Sequence, residues 1–270
     1  MNNCIITSGF AIGLLLILFV SCRKMDSVIE REVEEFEVDD HIIIGQTMKN
    51  KIKELPEYYP ILDSITYDRA YNYMNRLVST LKLTSVVKYR DEFVWKITIL
   101  HDDRVRTAFT LPGGNIYIYT GLLKFLKAEH ELMAVLANEI AYADRELAAV
   151  AIRQQYGGVF IGDLTLGKEN DMLEEMVKQY PGMKFKEDLV SEADAYAIEL
   201  ICPFQYDING LELFLQRAHQ QQIEWIQSKK MVESDLRLEK IANSSRDCGE
   251  GGVTNLEQYQ RKIKNFLPNN

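Results

Sequence analysis

Apolar residues recur at helical spacing along the middle of the chain. Leu132, Leu136 and Ile140 stand four apart, with Met133, Val135 and Leu147 beside them, the pattern of a buried helical stripe. No glycine or proline interrupts residues 122–156, so one long helical stretch is expected there. Just upstream the character changes. Pro112-Gly113-Gly114 signals a turn, and Asn115-Ile116-Tyr117-Ile118-Tyr119 is rich in β-branched and aromatic residues, the signature of a strand. A second strand is expected over Phe93–Leu100, with Asp102-Asp103 as the turn between the two. Residues 41–87 look helical, with turn signals around Pro56 and Pro60. After the central helix the chain again looks helical, broken by a glycine-containing stretch at 157–167 and by Pro181-Gly182. The fold class is α+β, mostly α, with a small sheet against the central helix.

The ends of the chain read differently. The first 22 residues carry no acidic or basic side chain, and Phe10–Val20 is an almost unbroken apolar run. That run is shorter than the roughly 20 residues a membrane-spanning helix needs, and it suits a signal-peptide core. It ends at Phe19-Val20-Ser21-Cys22, which resembles a bacterial lipobox with Cys22 as the lipidated residue; a short signal anchor before Arg23-Lys24 is the alternative. Residues 1–22 are thus a leader. Residues 23–40 form an acidic tether, residues 41–243 the domain, and residues 244–270 a loose tail ending in a short helix at 255–266. Cys202 and Cys248 are an even pair that invites a disulfide in an oxidising compartment, but the sequence does not give their separation, and Cys202 equally reads as a small core residue. The net charge of −9 argues against nucleic acid as a partner.

Candidate chemistry lies on the central helix. At about 100° per residue, Asn138 and Tyr142 share a face and Glu139 lies one step around from it. A polar pair in an apolar helix is also what a solvent-facing strip looks like. The spacing nevertheless matches H-E-x-x-H, in which two histidines four apart bind zinc and the glutamate is the general base. Here Asn138 and Tyr142 hold the histidine positions and Glu139 keeps the glutamate. The preceding run from Ala108 to Leu123 resembles the A-F-x-L-P-G-G-x-I-Y-V-Y-T-G-L-L segment of the HtpX-type zinc metallopeptidases, peptidase family M48. That family also includes the BepA and mitochondrial Oma types. Downstream, Ser191–Leu200 resembles the family's E-x-x-A-D helix, whose glutamate is the third zinc ligand. Val190 falls at that ligand, and Asp194 matches the aspartate that supports the metal site. Aligning on Arg237 puts Met231 where the family has a further histidine. The resemblance spans roughly residues 36–242.

The resemblance implies a zincin-like domain and zinc-dependent hydrolysis of peptide bonds, but the donors are missing. Catalytic zinc takes three nitrogen, sulfur or anionic oxygen ligands and keeps one position open for water. A carboxamide is a weak donor, a phenol with a pKa near ~10 is a poor one, and valine is none. His130 lies eight residues before Asn138, about 12 Å away along a helix. Only Glu187 or Glu192 could stand in as a displaced carboxylate. Without metal, Glu139 has no polarised water to deprotonate, so no cofactor is expected unless displaced ligands hold zinc. Asn138 and Tyr142 are expected to hydrogen-bond with each other or with Glu139, filling the old site. The expectation is a membrane-anchored pseudopeptidase of the bacterial cell envelope, facing the periplasm or the cell surface and acting as a chaperone or assembly scaffold. Unfolded or assembling envelope proteins would be its partners, and Asn115–Tyr119 the edge strand that pairs with extended clients. An active zinc endopeptidase and a purely structural partner of another envelope lipoprotein are the alternatives.

Overall fold

A computed structural model describes residues 36–166, 171–221, 234–245, 248–249 and 251–268. The leader, Cys22 and Met231 lie outside these residues. No helix among the described residues is long and apolar enough to cross a membrane.

The chain opens with helix α1 (Val38–Lys53), whose first turn is closed by Asp40 accepting the Glu37 backbone N–H at 3.0 Å. Glu37–Asp40, the end of the stretch read as a tether, thus belong to a helix start, where carboxylates offset the free N–H groups. Helix α2 (Asp68–Leu81) follows, then strands β1 (Lys96–Leu100), β2 (Ala108–Leu111) and β3 (Asn115–Tyr119). β1 begins three residues later than expected, after Trp95 adopts a positive φ of 43°. β2 was not foreseen as a strand.

The sheet order is β1-β3-β2, with β3 parallel to β1 and antiparallel to β2. This corrects the reading of Asn115, Ile116, Tyr117, Ile118 and Tyr119 as a peptide-binding edge. They form the central strand, all five are buried, and β1 and β2 occupy the two sides where a client would pair. The Pro112-Gly113-Gly114 turn does more than reverse the chain. Gly113 and Gly114 both have positive φ, and α1 crosses so closely that a Cβ on Gly45 would lie 1.9 Å from the Pro112 carbonyl oxygen. Two glycines from distant parts of the sequence permit that approach.

The stretch expected as one helix is three: α3 (Thr120–Phe125), α4 (Glu129–Asp144) and α5 (Leu147–Tyr156). Leu126 and Ala128 are extended, and Glu146 is left-handed at φ 62°. No glycine or proline marks these breaks. Tertiary contacts impose the second one: Glu146 is held by Lys88 and the Tyr89 hydroxyl and lies 3.6 Å from buried His41. Helices α6 (Gly158–Thr165), α7 (Asp171–Gln179), α8 (Glu187–Ile201), α9 (Gly210–Gln220), α10 (Ser234–Ser245) and α11 (Leu256–Phe266) complete the domain.

Every residue of α4 is buried, enclosed mainly by α8, α9, β2, α5 and α2. The solvent-facing strip is thus excluded. Buried charges are costly unless paired, and the carboxylates of this helix are paired. Glu131 accepts two bonds from Arg217 and one from the Lys127 N–H. Asp144 accepts the N–H groups of Lys88 and Tyr89 and the Tyr196 hydroxyl. Glu129 accepts from Tyr73 at 2.6 Å, Tyr206 at 2.8 Å, Asn255 at 2.8 Å and Lys262 at 3.0 Å.

The last two of those partners show that the C-terminal segment is not loose. Cys202 and Cys248 are joined in a disulfide, Val253 pairs with Tyr206, and the Tyr259 hydroxyl donates to the Leu123 carbonyl at 2.6 Å. The glycines that suggested looseness serve close approach instead: a Cβ on Gly252 would meet the Tyr206–Asp207 backbone at 2.5 Å.

Burial alone would raise the Glu129 pKa, but its four donors outweigh it and pull the group down to about 2, from 4.5. A depressed carboxylate pKa adds stability above the unfolded value and loses it as pH falls towards the folded one. Glu129→Gln should therefore cost on the order of 2 kcal/mol in urea unfolding at pH 7, and the gap to wild type should narrow between pH 4.5 and about 2. A gap that stays constant with pH would contradict this.

Candidate vestigial metal site

The fold brings together the residues that the sequence aligned. Asn138, Glu139 and Tyr142 project from α4, and Val190 and Asp194 from α8, the helix with which α4 packs most extensively. All five are buried. The Asn138 amide donates to Asp194 Oδ1 at 2.9 Å. Arg237 of α10, itself only 6% exposed, forks onto the same carboxylate: Nε donates to Oδ2 at 2.7 Å and Nη2 to Oδ1 at 2.8 Å. Burial works against the Arg237 charge, yet Asp194 holds its pKa above the usual arginine value. The two charges satisfy each other in a bidentate pair, the geometry that suits guanidinium and carboxylate best.

Sequence reasoning anticipated a polar network here but misplaced its centre. The hub is Asp194, and the cation is Arg237, which the sequence supplied only as an alignment landmark. An isolated arginine within a helix carries no signal of such a role; only the packing of α10 on α8 reveals it.

The rest of the site is filled by rings and methyl groups. Tyr142 packs against Phe185, with ring centroids 4.6 Å apart. Burial, and then the charge of Asp194, raise the Tyr142 pKa well above 10, so at neutral pH this side chain is a neutral phenol. Val190 offers only methyl groups and has no exposed surface. Glu139 accepts the Thr110 hydroxyl of β2 at 3.0 Å, and the Tyr180 hydroxyl donates to the Thr110 carbonyl at 2.8 Å. The 3-10 turn at Tyr180–Gly182 thus covers part of the outer side of β2. The opening that remains beside Asn138, Glu139 and Arg237 measures about 30 Å³, room for about one water molecule.

These donors do not fit zinc. An amide, a protonated phenol and an alkyl group stand at the ligand positions. The candidate replacements are engaged at the surface, Glu187 with Lys240 at 2.9 Å and Glu192 with Arg145 at 2.9 Å. Among the described residues no group of three or more histidine, cysteine, aspartate or glutamate side chains is placed to hold a metal ion.

Comparison with known proteins agrees with the scaffold. Residues 72–239 match the profile of Peptidase family M48. The mitochondrial metalloendopeptidase OMA1 of Schizosaccharomyces pombe is 25% identical over 166 residues, which is 60% of this chain and 45% of the relative. The Arabidopsis thaliana enzyme of that name is 24% identical over 127 residues, and the Bos taurus one 27% over 140 residues, each match covering 47% of this chain and 26% of the relative. The chain therefore spans less than half the length of these relatives. All three are mitochondrial proteins of eukaryotes, which overturns the placement of this chain in a bacterial cell envelope. With the family match covering most of the chain and a mostly helical fold carrying a small mixed sheet, this chain belongs to peptidase family M48.

Proposed function

We propose that this chain is a non-hydrolytic member of the family, a pseudopeptidase that works by binding other polypeptides as a chaperone or assembly scaffold. One observation carries the reading: at the ligand positions stand Asn138, Tyr142 and Val190, and the nearby Asp194 is committed to Arg237. In an active relative, zinc would act as a Lewis acid and lower the pKa of a bound water. Here Glu139 faces the Thr110 hydroxyl and serves as a buried acceptor. Breaking the Asp194–Arg237 pair to admit a cation would strand a buried charge, a cost of roughly 3–5 kcal/mol. An active site built on displaced ligands would have to draw Glu187 and Glu192 inward from their exposed ion pairs, against the same desolvation.

Two outcomes are expected. Protein purified without added metal carries no stoichiometric zinc by elemental analysis, and a casein substrate remains uncut. About one zinc per chain, lost in Glu187→Ala or Glu192→Ala, would establish the displaced-ligand enzyme instead. Conversely, Asn138→His, Tyr142→His and Val190→Glu together should create zinc binding, measurable by titration with a metal indicator, because the three positions converge in space. A folded triple variant that gains no zinc affinity would show that they do not.

A further inference from the structure

A buried imidazole forms the seat of the first helix. His41 of α1 has no exposed surface. The rings of Phe36, Tyr89 and Phe93 surround it at centroid distances of 5.2, 6.3 and 5.9 Å. Neither of its ring nitrogens has a hydrogen-bond partner among the described residues. Glu146 Oε2 stands 3.6 Å from Nε2, beyond hydrogen-bond reach. We propose that His41 is an acid-operated latch: neutral, it seats the start of α1 against the α4–α5 corner, and protonated, it releases that helix end. No step of this involves the site between α4 and α8.

A neutral imidazole can stay in a cage of rings because burying its carbon face offsets its unpaired nitrogens. A proton changes the balance, since a buried cation is costly unless it is paired. Glu146 is the acidic group on the facing corner, and it is already engaged. Its Oε1 accepts the Lys88 ammonium at 3.0 Å and the Tyr89 hydroxyl. Its backbone is held in the left-handed region at φ 62°, which a residue with a side chain rarely adopts. Turning the carboxylate towards His41 would give up those bonds.

The other charged groups facing His41 do not rescue it. Asp40, on its own helix, accepts the Glu37 N–H at 3.0 Å. Lys88 repels an imidazolium, and Arg153 places a further cation over the Phe36 ring, 4.8 Å from its centroid. Burial therefore wins and holds the His41 pKa below its ordinary 6.5, with Glu146 and Asp40 opposing it. Burial alone would raise the Glu146 pKa, but its bonds from Tyr89 and Lys88 keep it below the usual carboxylate value. Glu146 thus stays ionised while His41 titrates.

The latch acts where α1 meets the β2–β3 turn. A Cβ on Gly113 would lie 3.1 Å from the His41 carbonyl oxygen, so one residue touches both the corner and the turn. Release would uncover Ile44 and the Phe36, Tyr89 and Phe93 rings, an apolar surface concealed at neutral pH. The sign follows from linkage. The released imidazole takes its proton near 6.5 and the seated one only at lower pH. Release is therefore suppressed above that pH and grows below it, by up to about tenfold per pH unit for one proton, until the seated pKa is reached.

Hydrogen exchange of the full chain at pH values of about 7.5 and 5, each rate divided by its intrinsic rate, tests this. In the wild type, amides of residues 40–46 should lose protection by about tenfold at the lower pH. His41→Phe keeps a ring in the cage without a proton and should hold their protection constant. Unchanged wild-type protection, or an equal loss in His41→Phe, would overturn the proposal. Proton NMR of the wild type gives a reading that needs no variant. The His41 ring resonance, identified by its contacts with Tyr89 and Phe93, should titrate with a midpoint below 6.5; a midpoint at or above 6.5 would equally overturn the latch.

Discussion

Helix α4 is buried on every side, and the architecture follows from that constraint. A solvated helix can leave its carboxylates to water; α4 cannot, so each draws a partner from a different part of the chain. Glu129 holds Tyr73, Tyr206, Asn255 and Lys262, Glu131 holds Arg217, and Asp144 holds the backbone at Lys88–Tyr89 together with Tyr196. The acids of one helix thus organise α2, α9, α11 and the connection before β1. Unpaired, any of them would cost several kcal/mol.

The old metal position obeys the same rule by other means. Positive charge reaches this position as a guanidinium from α10. Arg237 supplies positive charge to Asp194, Asn138 adds a neutral donor, and Tyr142, Phe185 and Val190 fill the remaining volume. The Asn138–Asp194 bond makes the site a joint between α4 and α8. Glu139 has a structural partner in the Thr110 hydroxyl, and on the proposed non-hydrolytic reading that contact is its remaining role.

Much of this was legible in the sequence. The apolar period marked α4 and the β-branched run marked β3, while the resemblance to family motifs pointed to Asn138, Tyr142, Val190 and Asp194, which the fold brings onto two packed helices. Three things were not legible. The role of β3 as the central strand depends on β2, four residues whose apolar character does not distinguish a strand from a connection. The break at Glu146 arises from contacts with distant residues, so local propensity gives no warning. Arg237 became functional only through packing. In each case the missing information is tertiary.

On the proposed non-hydrolytic reading, the Asp194–Arg237 pair stands in for a metal as the tie between α8 and the rest of the site. A double-mutant cycle on urea unfolding tests it most directly. Arg237→Met and Asp194→Asn should each destabilise by about 3 kcal/mol, because each strands a buried charge or its donors. The double variant should cost no more than either single change, giving a large coupling energy. Additive losses, with coupling below about 0.5 kcal/mol, would mean that the pair does not hold the site together.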